Sequence, residues 1–198
     1  MADKNLQGVE DWGTYHISSS LQDYEVARSN HFTFIAEGLG SLVRSDFALE
    51  QPEESDIINN AQEIVKLSVT KASVPHFSIN PIEIRRGNSV IKMAGNPSYE
   101  AGTLECQDFV GLDTKSVLMA WQALAYDVVN DRGGRMINYK KNCTLTEYTP
   151  DHQEIRHWDL IGCWISAITE EDFDKSADGD RKITCTIEFD RAIMHMPD

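Results

Sequence analysis

The chain has 198 residues, 32 acidic against 18 basic side chains, and a formal net charge of −14. That length is enough for one domain with a real core, and the acid excess excludes a surface built to grip nucleic-acid phosphates, which needs clustered Lys and Arg. MADKNLQGVEDWG is polar from its first residues, so no secretory signal is expected, and no run approaches a membrane span.

Residues 1–62 hold 11 acids and 3 bases, which makes the first third the more repulsive part. Met1 to Ser29 has weak periodicity and reads as an arm that orders only against a neighbour; Trp12, Tyr15, Ile17 and Tyr24 are its inter-subunit candidates. From His31 to Ala36, Phe32, Phe34 and Ala36 alternate with His31, Thr33 and Ile35, which predicts a strand. Arg44 to Asn60 reads as a long acidic loop in which Phe47, Leu49 and Ile57 stand among Glu53, Glu54 and Asp56. Ile64 to Val74 is expected as a strand with Val65, Leu67 and Val69 inward, and Pro75 and Pro81 bracket its exit. Arg86-Gly87-Asn88 predicts a hairpin turn.

The stretch from Val90 to Asp127 is the most informative. It reads as a short strand, a Gly95-Asn96-Pro97 turn, a strand with Leu104 and Cys106 on one side and Thr103, Glu105 and Gln107 on the other, and then a long helix. Val117, Trp121, Leu124 and Val128 form that helix's core stripe, Asp113 stands at its start, and Gly133-Gly134 lies just past its end. Strands follow at Asn142–Tyr148, Ile155–Ile168 and Lys182–Asp190; in the last, Ile183, Cys185, Ile187 and Phe189 alternate with Thr184, Thr186, Glu188 and Asp190. Seven or so strands with one flanking helix predict a mainly β chain, either a closed barrel or two packed sheets.

No catalytic constellation accompanies these elements. Asp174, Ser176, Asp178, Gly179 and Asp180 occupy calcium-loop places, but place twelve is Cys185 and a strand follows, so a solvated hairpin loop is the expected reading. The six histidines, His16, His31, His76, His152, His157 and His195, show no ligand spacing and default to surface roles. Cys106, Cys143, Cys163 and Cys185 are far apart, with no Cys-x-x-Cys, and read as small core thiols. Arg85-Arg86 and Lys140-Lys141 are short basic pairs suited to acids of a neighbouring subunit. Trp121, Trp158 and Trp164 read as core or contact residues before they read as a base-stacking platform. No catalytic, cofactor-binding or metal-binding residue is expected.

The order of MAGNPSYEAGTLECQDF, the Trp121 helix, YKKNCTLTEYTPDHQEIRHWDLIGCWISAI and the strand KITCTIEFD resembles the tail tube proteins of contractile-tailed bacteriophages, relatives of the tubes of type VI secretion and phage-tail-like particles. The resemblance runs from about Asn30 to Asp190. It implies a two-sheet β-barrel domain, here over 30–198. The N-terminal arm over 1–29 and the acidic insertion at about 44–60 depart from the shorter family members, and the apolar residues among the insertion's acids point to an inter-ring stacking loop. It further implies a structural virion protein and no enzyme. Hexameric rings would stack into the inner tube of a contractile tail, bounded by sheath, baseplate and tape-measure proteins, assembled in the host cytoplasm without membrane. DNA would pass through the lumen without specific binding, past Glu105, Glu188 and Asp190. A protein-injecting particle and a baseplate-proximal tube protein are the alternative settings.

Overall fold

Alternation along the sequence settles most of the strands of this computed structural model, which describes residues 27–39, 61–173 and 179–196. Strand β1 (Phe32–Ala36) buries Phe34 and Ala36. Helix α1 (Ala61–Ser68) runs into β2 (Val69–Ala72), and a hairpin of β3 (Phe77–Arg86) and β4 (Ser89–Tyr99) leads to β5 (Gly102–Gln107). After α2 (Thr114–Ala123) come the two-residue strands β6 (Tyr126–Asp127) and β7 (Arg132–Gly133), and the single turn α3 (Met136–Tyr139). Strands β8 (Lys141–Tyr148), β9 (Glu154–Glu170), β10 (Lys182–Glu188) and β11 (Arg191–His195) complete the order.

Seven strands pair in the order β1-β8-β9-β10-β5-β2, with β11 on β9 as a branch. The paired strands are antiparallel throughout. The two ends of this sheet share one core, in which Phe34 and Leu145 from one end join Leu104, Cys106, Ile183 and Cys185 from the other. A sheet whose two ends pack on one core in this way keeps its apolar face dry without needing a second chain.

The 17-residue β9 belongs to both halves, and a single glycine lets it do so. Before Gly162 the core-facing residues are Trp158 and Leu160; directly after it they are Cys163 and Ile165, and beyond the β9–β10 register shift at Thr186 and Ile187 the even-numbered Ile168 packs on the core again. Strand parity is two, so the inward set changes from even to odd only at an irregularity such as a bulge or a residue outside the β region. Gly162 does so at φ 73°, a conformation L side chains rarely adopt. The β8–β9 register shifts at the same place, between Lys141 and Cys143.

Four sequence expectations need correction. Residues 61–68 are helical, because Ala61, Ile64, Val65 and Ser68 make a stripe at helical spacing, while Leu67, expected inward, is 52% exposed. Helix α2 ends at Ala123, so the stripe of Val117, Leu118 and Trp121 stops with the half-buried Leu124, and Val128 lies beyond it at 81% exposure. Gly95-Asn96-Pro97 is no turn: all three lie inside β4, at a register shift where Ile79 faces Pro97 and Pro81 faces Ala94. A Cβ on Gly95 would stand 2.3 Å from the Asn80 carbonyl oxygen, so the glycine answers to a close backbone approach. Finally, β10 ends at Glu188, and Asp190 sits in the bend before β11.

Candidate assembly surfaces

Every side chain of the ten-residue β3 is exposed, and so are most of the eleven in β4. Among the described residues these two strands pair only with each other. Cross-strand pairs Ile82–Met93 and Ile84–Ile91 place four large apolar side chains together, and each stays 45–55% exposed. Two-stranded hairpins are marginal in water on their own, and an apolar cluster of this size on one of them marks a contact surface.

The hairpin is rooted firmly. Strand β2 leads into β3 and β4 leads into β5, and β2 pairs β5, so the hairpin continues that ladder outward as one ribbon. At the root Ser73 N–H donates to the Thr103 carbonyl at 2.9 Å, and Thr103 N–H donates to Ser73 Oγ at 2.7 Å. Tyr99 meets Phe77 at 5.8 Å and, edge-on, Phe189 at 6.1 Å, which ties the base to the core. His76 and Glu100 pair at 3.0 Å beside it, and this carboxylate raises the histidine's pKa.

A second exposed apolar group lies on the loops around α2, where Val110, Val128, Val129 and Ile137 are almost bare. Met119, Tyr126, Val128, Val129 and Trp164 border an open groove of about 570 Å³ there.

The outer face of β5 and β10 has a different character. Thr103, Glu105 and Gln107 lie beside Thr186, Thr184 and Lys182, with Glu188 at the strand end opposite Trp164. Glu105 accepts from Lys71 Nζ at 2.6 Å, and that ammonium holds its carboxyl below the usual carboxylate range. Asp190 is placed elsewhere: both its oxygens accept from Lys140, at 2.8 and 2.7 Å, and its N–H donates to Ile161. Of the three lumen candidates, only Glu105 and Glu188 therefore share a face.

The three described tryptophans pack within the fold. Trp121 is fully buried and donates from Nε1 to the Tyr139 carbonyl at 3.2 Å. Trp164 packs edge-on against Tyr139 at 5.8 Å, and Trp158 packs on the core beneath the Arg156 guanidinium. All four cysteines are buried and free; burial pushes the Cys185 thiol up to about 12 and Cys106 higher still. The arm candidates Trp12, Tyr15, Ile17 and Tyr24 lie outside the described residues. So do the loop candidates Phe47, Leu49, Glu53, Glu54, Asp56 and Ile57, and Asp174, Ser176 and Asp178 of the calcium-like run. The hairpin surface escaped the sequence reading, although Pro81 and Pro97, which both weaken a central-strand assignment, point to it.

Among the described residues, a mainly β fold presents a ribbon that pairs with no other strand and bare apolar loops, surfaces suited to a subunit that assembles. The chain matches the T4-like virus tail tube protein gp19 family over residues 54–191 and belongs to it. No curated protein matches. Among solved structures it is similar to a chain of the sheath-tube complex of an extracellular contractile injection system, PVC, in its extended state. The identity is 18% at a TM-score of 0.62, over 91% of this chain and 99% of that one. It is also similar to a chain of the anti-feeding prophage baseplate, at 12% identity and TM-score 0.57 over 87% of this chain and 97% of that one. A chain of the cap that terminates the anti-feeding prophage tube aligns at 16% identity and TM-score 0.58, over 90% and 100%. The protein is thus a structural tube subunit and its family is not one of enzymes.

Proposed function

We propose that six copies of this chain close into a ring and that rings stack into the inner tube of a contractile tail, through which the genome leaves the particle. The family match supports the tube, and the solitary β3–β4 ribbon is the observation that carries the mode of assembly. Its occupant is a second copy of the chain. Burying the exposed halves of Ile82, Ile84, Ile91 and Met93 on a neighbour contributes about 1 kcal/mol each. Lateral joining closes a ring, whereas axial joining is heterologous and does not close, so it grows a filament. The sheath would meet the outside of this tube and the baseplate one end of it.

The face shared by Glu105 and Glu188 is the proposed wall of the channel. It is wettable: unlike the ribbon it carries hydroxyls, Glu105 with its Lys71 partner, Lys182 and Glu188 in place of large apolar groups. Glu188, which has no ion pair among the described residues, is the acid of this face that would repel phosphates and keep passage fast. The acidic insertion at about 44–60 is proposed as the inter-ring contact and the segment 1–29 as an arm on an adjacent subunit. A tube that injects protein uses the same surfaces, and it differs in having no need of a phosphate-repelling wall.

The test is negative-stain microscopy of the purified full chain alongside the Ile82→Lys, Ile84→Lys, Met93→Lys variant. Wild type should form rings and tubes as concentration rises. The variant should keep the wild-type circular dichroism spectrum and stay monomeric, because none of the three side chains enters the core. Tubes from the variant, or a wild type that is monomeric at every concentration, would overturn the proposal.

A further inference from the structure

Two histidines and an aspartate from distant parts of the chain meet on the outer face of β9 and β11. His157 and His195 are direct cross-strand partners, and Asp159 stands two residues along β9 on the same side as His157. The two imidazoles stack at 4.8 Å with an 18° tilt. His195 Nε2 lies 3.2 Å from Asp159 Oδ2, and His157 Nδ1 is hydrogen-bonded to Glu154. One ligand atom from each of His157, Asp159 and His195 lies within 4.8 Å of the others.

We propose that His157, Asp159 and His195 form a binding site for a divalent transition-metal cation of the zinc class. Two imidazoles and one carboxylate are the donor set such ions take, and they leave a fourth position for water. A tetrahedral zinc holds its ligands roughly 3.4 Å apart. Small rotations of half-exposed side chains bring these three to that spacing, because both strands are fixed by an unbroken five-pair ladder. Glu154 completes the arrangement from outside: a carboxylate on the second ring nitrogen of a ligating histidine orients the ring and makes it more basic.

The consequence is structural. Strand β11 pairs with β9 alone among the described residues, so its other edge is open. A cation bridging His195 to His157 and Asp159 pins the last turn of that edge strand and stiffens the edge offered to a neighbour. The bland alternative is a solvated patch of His–carboxylate pairs that binds no ion.

Chelator-stripped full-length protein titrated with zinc chloride in a calorimeter distinguishes the two. The wild type should bind one equivalent per chain and melt at a higher temperature with zinc present. His157→Ala and His195→Ala should each weaken binding at least about tenfold and abolish the thermal shift. His76→Ala, at the root of the ribbon, should change neither. A triple His157→Ala, Asp159→Ala, His195→Ala variant with the wild-type isotherm would overturn the proposal. Should a substitution unfold the chain, zinc-edge X-ray absorption of the wild type decides: two imidazoles in the shell support the site, and an all-oxygen shell overturns it.

Discussion

Ser68 and Thr114 are both fully buried, and the Thr114 hydroxyl is satisfied through Ser68. The hydroxyls lie 2.9 Å apart, and Ser68 Oγ also donates to the Ile64 carbonyl at 2.7 Å, which joins the end of α1 to the start of α2. Leaving one hydroxyl buried without its partner costs about 1–3 kcal/mol. Ser68→Ala should therefore destabilise by that amount in urea melts. Thr114→Val added to Ser68→Ala should cost less than the sum of the single changes. Glu170 makes a second joint: Lys115 of α2 holds its carboxyl at 2.9 Å and Arg181 reaches it from before β10. Lys115 first, then Arg181, lowers the Glu170 pKa below its ordinary value of 4.5. A lowered folded-state pKa contributes stability that is fully present above the unfolded value and lost as pH falls through the folded one. Wild type should thus exceed Glu170→Gln in stability above pH 5 or so, and the gap should close as pH drops below 4.5. A gap that is constant from pH 7 to pH 3 would remove the carboxylate from the account.

At the scale of elements, the kink in β9 rests on Gly162. A Cβ there would be 2.4 Å from Asp190 Oδ2, and the φ of 73° strains any L side chain. Gly162→Ala should cost about 1–3 kcal/mol in a thermal or denaturant melt, and Asp190→Ala should recover only the steric part. Strands β1, β5, β8 and β10 were legible in the sequence because each buries one face of a shared core, which writes alternation into the chain. Helix α1 was not, since adjacent Ile64 and Val65 suit either period and the stripe that decides it spans only two turns. The ribbon was legible as a hairpin from Arg86-Gly87-Asn88, but its isolation was not. Ile82, Ile84, Ile91 and Met93 alternate just as core residues do, and a side chain waiting for another copy looks the same in sequence as one that has its partner. Nor could His157 and His195 be brought together without knowing that β11 folds back on β9.

For the whole molecule the governing quantity is charge. At −14 per chain, assembled copies repel one another, so tubes should form more readily as salt rises through the range where the screening length falls from about 30 to 10 Å. Sedimentation at several ionic strengths measures this directly. Much of the acid is already answered: Glu105 is paired with Lys71, and Asp190 with Lys140. Glu188 has no ion pair among the described residues, which makes it the acid of the proposed channel wall with the most influence on passing phosphates. Glu188→Lys should leave tubes intact and slow DNA release from assembled particles, more so at low salt. An unchanged release rate in particles shown to contain the variant would place this face away from the channel.

The ribbon has one more property, a mechanical one. Ten residues of strand reach about 33 Å, and both strands grow out of neighbouring members of the same sheet. Tension along its length acts as shear on all the ladder bonds together, whereas a sideways push concentrates at the irregularity where Pro81 faces Ala94 and Gly95 admits the opposite backbone. Tubes joined through such ribbons should resist stretching and give way in bending. Drawn to failure between optical traps, they should part between subunits with each barrel still folded.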